Sequence, residues 1–371
     1  MNDLCTAKND IQIFSFFSGL GLLDLGFEDA GFKISFVDEI DKRYLRSYEY
    51  IRKNTRYNPK YGYSSRDIRE YFSDDIWNTT FGDYNSGVRL TGFIGGPPCP
   101  DFSTAGKNEG SNGPNGQLTE AYIKLIIKRK PDFFVFENVK GLYQTKKHRK
   151  YYEELKNRLA KSGYCLFDSI ENGLWYGVPQ DRARLILIGF NSEIFGKNVN
   201  YEIGSNRKYS IEEIEKANWP AESKFQEGSI VNCPEGIIEQ LTVEYWFRKN
   251  KVYQHPNSND VFKVKSKEKF YNIPEGHSSG KSFKRLHRWR YSPTAAYGNN
   301  EVHLHPYYAR RLSVSEVLAI QSVPERIDLP SDLPLSTKFK MVGNGVPYLL
   351  SYYIAKELFD WLLKWEEKNE I

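Results

Sequence analysis

Short apolar runs and amphipathic stretches alternate along the first half of the chain. Residues 11–17 (Ile-Gln-Ile-Phe-Ser-Phe-Phe) form an apolar run that predicts a strand, and residues 22–30 carry apolar side chains at helical spacing until Gly31 stops the helix. Ser18-Gly19-Leu20-Gly21 makes a tight glycine turn between them. A second strand is expected at 32–37 and ends at Asp38-Glu39. The rhythm continues with Ser65-Arg66-Asp67-Ile68 ahead of a helix, a strand at 90–94, a helix at 120–130 broken by Pro131, and a strand at 133–136 running into Glu137-Asn138-Val139. A helix at 151–162 and strands at 164–170 and 185–190 follow. Such alternation implies an α/β fold, a Rossmann-like open and mostly parallel sheet with helices on both faces, whose ligands sit beyond the carboxyl ends of the strands. Gly19, Glu39, Cys99 and Glu137 all fall at such ends, so four strands are expected to bring four groups to one edge.

The glycine turn narrows the ligand. It lacks the third glycine of a pyrophosphate-binding turn, yet an acid able to accept from a ribose hydroxyl pair follows about twenty residues later. A nucleoside cofactor without phosphate, such as S-adenosylmethionine, fits better than a nicotinamide dinucleotide. The most informative segment is Gly95-Gly96-Pro97-Pro98-Cys99-Pro100-Asp101-Phe102-Ser103, where two glycines and three prolines hold a cysteine on a rigid turn after a buried strand. A thiol framed in this way is presented rather than packed. The Gly, Ser and Asn content of residues 101–117 predicts an active-site lid, mobile without substrate.

Composition adds three constraints. Four scattered cysteines (Cys5, Cys99, Cys165, Cys233) with no close pair and no leader peptide predict a reducing, cytoplasmic setting with neither disulfides nor a metal site. No run approaches the ~18 apolar residues of a membrane span. Positive charge is concentrated: residues 246–290 hold twelve Lys/Arg against three acids, while the whole chain nets +5. Trp246, Phe247, Tyr253, Phe262, Phe270, Tyr271, Phe283, Trp289 and Tyr291 interleave with those cations, a pattern expected of a surface for a polyanion.

Six blocks in fixed order carry a resemblance. They are Phe17-Ser-Gly-Leu-Gly21, Gly96-Pro-Pro-Cys99, Glu137-Asn-Val139, Gln180-Asp-Arg182-Ala-Arg184, Arg311-Leu-Ser-Val-Ser-Glu316 with Gln321, and Gly343-Asn-Gly-Val-Pro347. In this order they resemble the DNA (cytosine-5) methyltransferases over nearly the full length, apart from about residues 191–288. The resemblance implies that Cys99 attacks carbon 6 of a cytosine, that Glu137 contacts ring nitrogen 3 and the exocyclic amine, that Arg184 binds the base carbonyl, and that Arg182 is its phosphate-side neighbour. For S-adenosylmethionine it implies Phe17, Gly19, Leu20 and Gly21 at the methionine-side turn, Glu39 at the ribose, Asp67 at the adenine amine, and Ile40, Ile68, Pro97, Leu118, Asn344 and Val346 around the pocket. Three positions around the cofactor pocket depart from the family pattern: Ile40 stands where an aromatic is frequent, Leu22 where glycine is common, and Gly345 where serine is frequent. Pro100 also replaces the usual Gln or Asn.

The chemistry of the residues agrees with the resemblance. Carbon 5 of cytosine is a poor nucleophile until a thiolate adds at carbon 6, and a carboxyl group with a raised pKa serves the charge that develops on the ring. Because that carbon lies inside a stacked duplex, the base has to be extruded. The expected division is a discontinuous cofactor-binding and catalytic domain (1–190 plus 336–371) and a smaller target-recognition domain (191–335) that grips double-stranded DNA. Residues 311–322 read as a helix supporting the second domain, and 348–364 as an amphipathic helix packing back on the first. A monomeric, nucleoid-associated prokaryotic modification enzyme of a restriction–modification system, with no stable protein partner, is the expected context. A tRNA cytosine-5 methyltransferase of the same fold would share Cys99, Glu137 and both arginines, although its recognition region would be shorter than the roughly 120 residues present here. A non-catalytic DNA-binding regulator and a nicotinamide oxidoreductase fit less well.

Overall fold

Seven strands form the central sheet of the computed structural model, which describes residues 11–53, 58–84, 87–98, 114–264, 266–279, 283–294, 297 and 302–369, without the side chains of 114 and 115. Cys99, Pro100 and the expected lid up to residue 113 lie outside the described residues. In chain order the strands are β1 (Ile11–Phe16), β2 (Lys33–Asp38), β3 (Tyr63–Ser64), β4 (Leu90–Gly95), β5 (Phe133–Val139), β6 (Tyr164–Asn172), β7 (Gln180–Asp181), β8 (Ala183–Asn191) and β9 (Ser292–Pro293). The sheet runs β3-β2-β1-β4-β5-β8-β6, with the first five strands parallel and β8 inserted antiparallel between β5 and β6. The short β7 pairs with β9 and ties residues 292–293 to the chain just before β8.

Strands with both faces covered read as continuous apolar runs, and β1 and β4 are buried along their whole length. One face packs Ile13, Ile34, Val135 and Ile188 against the helices Leu22–Ala30 and Tyr348–Asn369. The other packs Phe14, Phe36, Phe93 and Phe134 against the helices Asp74–Phe81, Pro114–Arg129 and Lys146–Lys161. Ile34 and Phe36 point to opposite faces because a register shift in the β1–β2 pairing adds one residue to β2.

Helix bounds differ from the sequence pattern for local reasons. The helix at Pro114–Arg129 starts earlier than expected, with a proline at its first position, where no amide hydrogen is required. It ends where Lys130, at φ 51°, precedes Pro131. The helix Lys146–Lys161 opens with a polar Lys-Lys-His-Arg-Lys run that has no apolar period to announce it.

The expected polyanion-binding face at residues 246–290 keeps Arg248, Lys249, Lys251, Lys263, Lys267 and Lys269 exposed, while several of its other members turn inward. Trp246, Phe247, Phe270 and Trp289 are buried. Arg285 is buried too, donating to the carbonyls of Phe270, Ile273, His305 and Tyr308, and Arg288 pairs through two nitrogens with Glu275. These residues build the interior of this part of the chain. Its apolar cluster is shared with the first half: Val243, Phe247, Leu312, Val317 and Val342 pack with Leu20, Leu22 and Leu25. Phe195, Tyr201 and Ile203 in turn join the cluster under the last helix, so chain on both sides of residues 190 and 335 contributes to common cores.

The last helix lies on Leu22–Ala30 with almost no space between backbones. Ser351 Oγ donates to the carbonyl of Leu23 at 2.6 Å, and a Cβ on Gly26 would stand 2.6 Å from the amide nitrogen of Tyr352. Alanine favours a helix interior over glycine by about 1 kcal/mol. Gly26→Ala is nevertheless expected to destabilise the chain by about 1–3 kcal/mol, because the methyl group wedges the two helices apart. Urea denaturation reads the result, and an unchanged or raised midpoint would contradict this packing.

Candidate active site

The carboxyl ends of β1, β2, β4 and β5 open onto one cavity of about 950 Å³. The glycine turn forms one wall. Phe17 sits at φ 54° with its ring edge-on to Tyr122, and Gly19, at φ 57°, has open space where a side chain would project. Glu39 holds this turn to β2, accepting from the amide of Gly19 on one carboxylate oxygen and from the amide of Asp41 on the other, each at 2.8 Å. Burial pushes its pKa upward. Asp67 caps the short helix Ile68–Phe72, accepting from the amide of Arg69 and pairing with its side chain, which keeps the carboxylate below its usual pKa. Ile40 is 61% exposed beside them and presents bare apolar surface to the cavity. Leu20, Ile68, Pro97, Leu118, Asn344 and Val346 complete this part of the lining.

Gly21 is the exception among the residues assigned to the cofactor. It is not on the cavity wall; it caps the helix Leu22–Ala30 at φ 79°, and a side chain there would collide with the Tyr48 ring and stand 2.6 Å from Arg52. The glycine is needed for packing behind the turn, where Arg52 lies 3.7 Å above the Tyr48 ring and donates to the Gly21 carbonyl.

The opposite wall holds Glu137 and Arg184. Glu137 pairs across the sheet with Ile186, and Val139 with Arg184, so antiparallel β8 puts Arg184 diagonally beside Glu137 on the same face. Their side chains meet at 3.0 Å, Arg184 Nε to Glu137 Oε1. Burial raises the Glu137 pKa against the opposing pull of Arg184 and Arg182. The other oxygen, Oε2, faces the start of the Gly-Pro-Pro turn, and a Cβ on Gly96 would stand 2.6 Å from it. Glycine at 96 therefore lets the turn that leads to Cys99 approach the carboxylate.

Arg182, expected as the phosphate-side neighbour of Arg184, stands at the same cavity. It is buried, and its Nη2 donates to the carbonyls of Gly343 at 2.6 Å and Gly345 at 3.2 Å. It ties the chain before β8 to the turn that follows the helix Leu335–Asn344.

Several residues at the cavity escaped the sequence reading. Lys284, from the basic segment, reaches the lining along with Thr294 and Asp181. Asp38 and Asp24 lie in the wall with their carboxyl groups turned inward. Asp38 accepts from the Tyr71 hydroxyl, and burial lifts its pKa to about 7. Asp24 accepts from Ser15 Oγ at 2.9 Å and the Tyr48 hydroxyl at 2.8 Å, and burial lifts its pKa to about 6 although nearby Arg52 opposes the shift. An acid within the apolar stripe of the first helix was the available signal for Asp24. The folded state retains its proton above the pH at which the unfolded chain loses it, so this group's stabilising contribution, full below pH 4, is lost as pH rises to about 6. Asp24→Asn should accordingly gain stability relative to the parent between pH 4 and 6, by up to about 3 kcal/mol, and level off above. Denaturation curves across that range check it; a pH-independent difference would remove Asp24 as a buried, proton-retaining acid.

Comparisons with known proteins fit this geometry. Residues 11–360 match the family model of the C-5 cytosine-specific DNA methylases. The chain is 47% identical over 364 residues to the Type II methyltransferase M.NmeDI of Neisseria meningitidis serogroup C, covering 96% of this chain and 86% of that one. It is 31% identical to the Type II methyltransferase M.FnuDI of Fusobacterium nucleatum, covering 97% and 98% respectively. A prophage-encoded E. coli chain described as a DNA modification methyltransferase shares the fold, with TM-score 0.62 and 22% identity over 95% of this chain and 99% of its own. The chain therefore belongs to the C-5 cytosine-specific DNA methylase family and is a DNA cytosine-5 methyltransferase.

Proposed function

We propose that the chain methylates carbon 5 of a cytosine extruded from a specific duplex DNA sequence, through a covalent Cys99 adduct and with S-adenosylmethionine as donor, as the modification enzyme of a Type II restriction–modification system. The observation that carries this reading is the meeting, in one cavity, of the Glu137–Arg184 pair, the start of the Gly-Pro-Pro-Cys turn, and a wall suited to a nucleoside. The Type II methyltransferases among its relatives support duplex DNA over tRNA as substrate.

The residues present fit S-adenosylmethionine. Glu39 keeps lone pairs for ribose hydroxyls, Asp67 can accept from the adenine amine, and Ile40, Ile68 and Pro97 supply apolar surface for a flat ring. The open space at Gly19 leaves room for the methionine arm, beside Phe17, Leu20, Leu118, Asn344 and Val346. When bound, this cofactor supplies an electrophilic methyl group on a positively charged sulfur.

The protein's own groups then divide the work. The Cys99 thiolate adds to carbon 6 and pushes electron density toward ring nitrogen 3 and carbon 5. Glu137, inclined to hold a proton by its burial, donates to nitrogen 3 as that charge develops, while Arg184 fixes one carboxylate oxygen and leaves the other for the base. A further Arg184 N–H serves the base carbonyl. Once carbon 5 carries the methyl group, its proton passes to water, the sulfur–carbon bond breaks with nitrogen 3 returning its proton to Glu137, and the thiolate is restored. Arg182 acts through the turn it holds. Lys284 at the cavity wall is suited to a phosphate flanking the extruded nucleotide.

Bisulfite sequencing of DNA from cells expressing the chain tests the reading, with protected cytosines expected at one recurring sequence; no protection anywhere would overturn it. Cys99→Ala is expected to abolish methyl transfer while duplex binding persists. Glu137→Gln should lower kcat by about a hundredfold or more, the usual scale for a positioned acid. A Cys99→Ala chain of parental activity would eliminate the covalent route.

A further inference from the structure

Leu22 and Gly345 face each other on the cavity wall. Gly345 has φ −66° and ψ 153°, a conformation open to any residue, so the backbone does not require glycine there. Space does. A Cβ at 345 would stand 2.6 Å from Leu22 Cδ1 and 3.2 Å from its Cγ, well inside contact distance. The nearest atom is the end of the Leu22 side chain, so relief of the clash falls on Leu22 or on the turn. Leu22 is buried at the first position of its helix, packed in the cluster that includes Leu20, Leu25 and Val342. The turn carrying Gly345 is pinned by Arg182 through the carbonyls of Gly343 and Gly345.

We propose that Leu22 and Gly345 are a size-matched pair of positioning residues that sets the wall of the S-adenosylmethionine site, Leu22 filling the volume that Gly345 leaves empty. This rests on the cofactor reading given above. Any side chain at 345 must either push Leu22 toward the cavity or lift the turn off Arg182, carrying Asn344 and Val346 away from the lining. Shrinking Leu22 removes that conflict.

Calorimetric titration of S-adenosylmethionine into the parent, Gly345→Ser, Leu22→Ala and the double variant tests the pair, with thermal unfolding of each chain as a second readout. Gly345→Ser is expected to lose at least tenfold in affinity, and the double variant to recover most of that loss. Gly345→Ala serves if the serine chain does not fold. Duplex DNA binding should stay at the parental level, since the pair lies on the cofactor side. Parental affinity in Gly345→Ser, or a double variant no better than the single one, would overturn the proposal. If the parent itself takes up no S-adenosylmethionine, the cofactor reading fails and the pair's role at that site fails with it; non-additive unfolding temperatures would then show only that the two residues pack together.

Discussion

A carboxylate buried at the end of a parallel strand has to be paired, and the pairing of Glu137 with Arg184 governs the arrangement around it. The cost of burying the charge is offset by an opposite charge at 3.0 Å only because β8 runs antiparallel beside β5 and sets the diagonal register. With one carboxylate oxygen held by Arg184, the other is left toward Gly96, whose missing side chain admits the turn leading to Cys99. Two residues earlier, Arg182 anchors the turn at 343–345. One stretch of chain, 182–184, therefore fixes both the Glu137 side of the cavity and the turn at 343–345 in its lining.

The remaining wall is built on buried acids. Glu39 accepts one backbone amide on each carboxylate oxygen, and Asp24 and Asp38 are held under the glycine turn by hydroxyl donors, with pKa values lifted toward neutrality. Desolvation makes their ionised forms expensive. A positive charge placed nearby would lower that cost.

Much of this was legible in the sequence. The strand–turn–helix opening, the cysteine turn and the acid at 137 announce themselves through glycine, proline and apolar runs, and eleven of the twelve residues assigned to the cofactor line the cavity. What failed to show depends on partners distant along the chain. Arg285 and Arg288 read as free cations because the carbonyls and the Glu275 carboxylate that absorb them are set by tertiary folding. Nothing in the local sequence reveals Tyr48 packed behind Gly21. The helix Lys42–Arg52 went unnoticed among mixed charged and aromatic residues, and Leu22 and Gly345 were separate oddities until the fold set them face to face.

The central claim is that this cavity serves a thiolate attack on a cytosine ring. The most direct measurement uses a duplex in which the cytosine identified as the target is replaced by 5-fluorocytosine, whose fluorine cannot leave as a proton does. Incubated with this duplex and S-adenosylmethionine, the protein should form a denaturation-resistant adduct, and mass spectrometry should map it to Cys99 alone. No adduct, or an adduct on Cys5, Cys165 or Cys233, would contradict the account.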